Sequence, residues 1–200
     1  LDGLGRSKEQ HQVIKSGLLL TLFHFLIFAV AGTMLAEFYF QISTDNLAVA
    51  KDGIIYTKII FIGSLGLFVE SICTKILQAR GNMVIPMIAQ ITGSLLNIIL
   101  DLFLIFGLTG FPELGIAGAA IATVIGQWAA MFITLIAVIR KYSLRGRFQI
   151  SVCKQIYQNG IGSIVTQSLF TLYIVGLNMI LKGFTEDAVT VLGIYYKLQT

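Results

Sequence analysis

Four stretches of this chain run long enough without a charge to cross a lipid bilayer: Ser16–Ala36, Met83–Leu100, Leu114–Ile139 and Gln155–Leu181. A hydrocarbon core about 30 Å thick takes about 20 apolar helical residues to span. In that medium the main chain must satisfy its own hydrogen bonds, which a helix does and an isolated strand does not. A fifth stretch, Ile54–Leu77, is interrupted by Lys58, Glu70 and Lys75. It still counts as a span, because the basic connections on either side of it otherwise fall on the wrong faces of the membrane. Charged residues make up 12% of the chain and the mean hydropathy is +0.85, against about 25% charged residues in soluble domains. The pattern predicts an all-α membrane protein, a polytopic helical bundle with helices at about 16–42, 54–77, 83–108, 115–139 and 156–181.

The basic residues set the orientation. Placing residues 1–15 in the cytoplasm puts Arg6, Lys8, Lys15, Lys75, Arg80, Arg140, Lys141, Arg145, Arg147 and Lys154 inside, and Lys51, Lys58 and Lys182 outside, as the positive-inside rule requires. A net charge of +4 therefore reports topology and not a nucleic-acid partner. The longest basic connection, 140–154, is expected to be a cytoplasmic linker between two bundles, although an ordinary stop-transfer cluster would look the same. Cys73 and Cys153 suit neither a disulfide framework nor a metal site and read as packing residues. There is no GxxxxGK[ST], HExxH, GxSxG or CxxC pattern, so the sequence supports neither an enzyme nor a cofactor.

Gly118, Ala122, Gly126 and Ala130 recur at every fourth position. They form a ridge without bulk on which a second helix can pack closely, although Gly and Ala are also common in membrane helices generally. In LLNIILDLFLIFG, Leu95–Gly107, one carboxylate, Asp101, lies at hydrocarbon depth. Such an acid costs about 3 kcal/mol to insert and nearly always faces a bundle interior or a wet cavity. Asn97, one turn earlier, shares its helix face. Together they offer hard oxygen donors for a small cation or a proton; the alternative is a structural Asp tied to nearby hydroxyls or reaching outward. Glu70 is expected to pair locally with Lys75 at the cytoplasmic interface, a transport role being the alternative, and His24 to be a packed residue with one hydrogen bond, a proton shuttle being the alternative. Gln127, Gln167 and Asn178 either line a cavity or bridge helices, bridging being the default.

The run QARGN at 78–82, then LLNIILDLFLIFGL, then PELGIAGAAIATVIGQ, resembles the multidrug and toxic compound extrusion (MATE) transporters in motif order and spacing. DGLGRSKEQ resembles the family's cytoplasmic turn after its second helix, and EDAVTVLGIYYKLQT the passage into its eighth. The resemblance implies a two-lobe, twelve-helix fold, of which residues 1–139 belong to the first lobe and 155–200 begin the second. The chain is then expected to be a segment of a longer one. It further implies secondary active antiport at the plasma (inner) membrane, working by alternating access. Organic, often cationic compounds would be exported in exchange for sodium ions or protons, by a full-length chain acting as a monomer in the bilayer. Some members hold the coupling cation with an Asn and an Asp one turn apart on the fifth helix, which Asn97 and Asp101 match, and a threonine on the sixth, nearest to Thr123. The chain departs from the pattern in lacking the first helix, which supplies a further Asp. It also has only Gln167 where other members carry a glutamate on the seventh helix.

Two alternatives stand beside this. A lipid-linked oligosaccharide flippase of the same superfamily would carry basic residues within the bundle, and only Lys58 and Lys75 come near that. A non-transporting membrane scaffold would have little use for Asp101 beside Asn97.

Overall fold

The computed structural model describes residues 7–44, 46–110, 112–142, 148–182 and 191–193, with the side chains at 7, 8, 109, 178, 179 and 182 excepted. Among the described residues six long α-helices run in order: α1 (Ser7–Ser43), α2 (Leu47–Gly63), α3 (Leu65–Ala79), α4 (Val84–Phe106), α5 (Gly115–Lys141) and α6 (Ile150–Lys182), with a short 3-10 turn at Leu108–Gly110. Among the described residues there is no strand. The chain divides into one unit over Leu1–Cys153 and a second over Lys154–Thr200. The second is described by most of α6, whose apolar side chains are largely exposed, and by the short piece at 191–193. The opening DGLGR, the centre of the basic connection at 143–147 and most of the passage resembling the entry to an eighth helix lie outside the described residues.

Helices α1, α4, α5 and α6 are each long and apolar enough to span a bilayer. The stretch expected as one helix over 54–77 differs. It begins earlier, at Leu47, because the Asn46 side-chain oxygen accepts from the amides of Ala48 at 3.0 Å and Val49 at 3.4 Å, satisfying two of the donors a helix start leaves open. It is also broken at Ser64 into α2 and α3, bent by 47°. There the Ser64 hydroxyl donates to the Phe61 carbonyl at 2.8 Å and the Trp128 indole N–H of α5 donates to the Gly63 carbonyl at 2.9 Å. Competing donors thus take over carbonyls that a straight helix would use, a recognised cause of a kink. A side chain at Gly66 would strike the Trp128 ring at 2.6 Å, so this glycine lets the indole reach the break.

The expected linker at 140–154 is shorter than its charge pattern suggests, since α5 runs through Lys141 and α6 starts at Ile150. Lys58 is accommodated by an ion pair to Glu37 of α1, Nζ to Oε1 at 2.6 Å. Cys73 is fully buried with Val69, Leu77, Met131 and Val138, between the lower parts of α3 and α5, as a packing residue should be.

The seam between α4 and α5 positions the polar side chains. The small ridge of α5 lies on α4, and Gly118, Ala122, Gly126 and Ala130 are all buried. A methyl group at Gly126 would lie 2.6 Å from the Gly93 carbonyl oxygen, and one at Gly93 2.8 Å from that of Gly126, so the two main chains touch. Close approach of this kind provides the dispersion contact that holds helices together in lipid. Gly107, in the left-handed conformation at φ 66°, ends α4. The chain then turns back, and the Leu114 amide donates to the Leu104 carbonyl at 3.0 Å.

Candidate functional site

On α4 the polar residues Gln90, Ser94, Asn97 and Asp101 follow a four-three-four spacing, which keeps them on one helix face. That face meets α5. The Asn97 side-chain amide donates to the Thr123 hydroxyl at 3.3 Å, and that hydroxyl in turn donates to the Ala119 carbonyl at 2.9 Å within α5. The structure therefore brings Asn97 and Thr123 into contact across the seam, just above the glycine crossing. Asp101, one turn further along α4, is half-buried. Its Oδ1 is shielded from solvent and has no hydrogen-bond partner among the described residues.

An acceptor without a donor is expensive at hydrocarbon depth. The seam carries three kinds of oxygen: the Asp101 carboxylate and, one turn before it on α4, the Asn97 carboxamide, which meets the Thr123 hydroxyl of α5. Such oxygens can replace part of the hydration shell of a small cation, and the carboxylate alone can carry a proton. Among the described residues no three His, Cys, Asp or Glu side chains gather.

A second polar group lies further down the seam. Glu70 of α3, only 5% exposed, does not pair with Lys75 as the sequence suggests. Its Oε1 accepts from the Thr74 hydroxyl at 2.7 Å and from the Gln90 side-chain amide at 3.1 Å, while Lys75 donates instead to Gln78 at 3.4 Å. The reason is geometric: a residue five positions on lies about 140° around the helix, whereas Thr74, four on, lies on the same side. Gln127 borders this cleft with an Oε1 that is buried and without a hydrogen-bond partner among the described residues. Gln167 sits on α6 in the second unit, exposed, its carbonyl accepting from the Thr171 hydroxyl at 3.0 Å. Only the main chain of Asn178 is described. His24 is engaged within α1, Nδ1 donating to the Leu20 carbonyl at 2.7 Å. Gln90 and Ser94 escaped the sequence reading as members of this face, although their spacing from Asn97 and Asp101 was the available signal.

Helices of spanning length, packed main chain to main chain at the Gly93–Gly126 crossing, define a multi-pass, all-α membrane protein. The MatE family model matches residues 3–103, and the chain belongs to that family. It is 40% identical over 73 residues to a probable multidrug resistance protein NorM of Thermotoga maritima, covering 36% of this chain and 16% of that protein. It is 33% identical over 108 residues to a probable NorM of Bacillus cereus, covering 54% of this chain and 23% of that one. It is 28% identical over 151 residues to the multidrug export protein MepA of Staphylococcus saprophyticus, covering 72% and 32%. Each match thus spans less than a third of the curated relative's length. A solved structure, described as an inward-facing conformation of a multidrug resistance MATE family transporter of the MOP superfamily, superposes with a TM-score of 0.72. It is 21% identical and covers 80% of this chain and 37% of that one. This likeness establishes the fold.

Proposed function

We propose that this chain is part of a secondary active antiporter that exports organic, often cationic compounds from the cell in exchange for sodium ions or protons, by alternating access. The observation that carries the reading is the Asp101 carboxylate oxygen held out of solvent with no donor, one turn from the Asn97–Thr123 contact. The multidrug names borne by the relatives point to the same class of cargo. In this reading residues 1–139 belong to the first lobe, 140–154 form a cytoplasmic connection, and 155–200 open the second lobe. The protein lies in the plasma (inner) membrane, with residues 1–15 also cytoplasmic, works as a monomer of the full-length chain and needs no cofactor beyond the coupling ion. That ion, on arriving at Asp101, offsets the cost of burying the carboxylate. Its departure leaves the charge exposed to a low dielectric, which favours the conformation open to water. The two events give the ion different affinities for the two states, as coupling requires.

The test is ion-coupled drug efflux by the full-length protein in vesicles, wild type against Asp101→Asn, with folded protein quantified in both. The expected result is loss of ion-dependent efflux with intact expression. Unchanged efflux with unchanged ion dependence would remove Asp101 from the coupling step.

A further inference from the structure

We propose that the cleft around Glu70 is a second, inner station for a sodium ion, on the cytoplasmic side of the Asn97–Asp101 pair. It rests on the reading of Asp101 as the coupling group for its place in the ion's route, but not for its own chemistry. The cleft has a volume of about 80 Å³ and its polar lining is Glu70, Gln90, Ser94 and Gln127, enough for one small cation with a water or two. Glu70 is the charged member of that lining, and the side chain that could neutralise it, Lys75, is turned to Gln78. Thr74 and Gln90 both donate to the same carboxylate oxygen.

Gln127 of α5 also lines the cleft, and its Oε1 is buried without a hydrogen-bond partner among the described residues. The lining therefore holds a buried carboxylate and no Lys or Arg, an arrangement that a cation satisfies. Gln90 and Asp101 are eleven residues apart on one helix face, about 16 Å along the axis at 1.5 Å per residue. The two sites are thus successive positions on one seam, and the Gly93–Gly126 crossing itself lines the inner one. An ion leaving Asp101 toward the cytoplasm meets the Glu70 cleft next.

Equilibrium binding of radioactive sodium to the purified full-length protein in lipid nanodiscs tests this. Glu70→Gln, which keeps the side chain's shape, is expected to remove one class of bound sodium while Asp101→Asn removes a different one, so that the double variant loses both. Gln127→Met removes an oxygen that bonds to nothing in the described fold. It is expected to weaken sodium binding several-fold without lowering the melting temperature, and it keeps the question answerable if Glu70→Gln fails to fold. Wild-type sodium binding in Glu70→Gln, or in Gln127→Met, overturns the proposal. Full binding in Asp101→Asn together with loss in Glu70→Gln counts against the coupling role of Asp101 and leaves the inner station standing.

Discussion

The contact between Gly93 and Gly126 gives the sharpest quantitative expectation. In Gly126→Ala the new methyl carbon would lie 2.6 Å from the Gly93 carbonyl oxygen and 3.2 Å from the Asn97 Cβ. Ordinary contact begins at 3.4 Å, so the helices must part by about 0.8 Å at the crossing. The obstacle is main chain and no rotamer change relieves it. Overpacking of this kind costs about 1–3 kcal/mol, here toward the upper end, while Ala recovers about 1 kcal/mol of helix propensity over Gly. The expected net loss is about 2 kcal/mol. Gly17→Ala is the matched control, because its methyl would meet Ile72 at 3.6 Å, an ordinary contact, so propensity alone should act. Reversible unfolding of the full-length protein in detergent micelles reads both. The expected order is Gly17→Ala at or above wild type and Gly126→Ala below it. Gly126→Ala as stable as Gly17→Ala would show that the two main chains do not meet, and with that the placement of Asn97 against Thr123 would lose its basis.

Thr123→Val keeps the volume of the side chain but removes the acceptor of the Asn97 amide, and it should reduce the apparent affinity for the coupling ion in efflux assays while folded yield holds. Trp128→Phe leaves the Gly63 carbonyl without its 2.9 Å donor at the helix break, and a thermal-unfolding series should show a loss of about 1–3 kcal/mol. Arg80 stacks on the Tyr142 ring at 4.5 Å from its centroid and also donates to Gln10. Arg80→Lys keeps the charge without the planar stack, so unfolding measurements should show a loss of about 0.5–1 kcal/mol.

The spanning helices were legible because lipid imposes a single coarse requirement, an uninterrupted apolar run, and α1, α4, α5 and α6 meet it plainly. The ridge of small residues on α5 could be read for a related reason: a four-residue recurrence is a property of one helix and needs no knowledge of its neighbour. Glu70 shows the limit. Sequence proximity to Lys75 suggested an ion pair, but the partner that decides its surroundings, Gln90, stands on another helix twenty residues away. The break at Ser64 was hidden in the same way, since it depends on an indole from α5. For the candidate site, the one-turn spacing of Asn97 and Asp101 was visible in the chain. That Asn97 meets Thr123 is a tertiary fact, and only the family resemblance pointed to that threonine.

Two rods joined where their backbones abut have no cushion of side chains on which to slide. The α4–α5 pair is accordingly a single stiff beam, carrying Asn97, Thr123 and Asp101 in constant register. The same beam reaches sideways to the elbow between α2 and α3, which it clasps through the Trp128 indole on the Gly63 carbonyl.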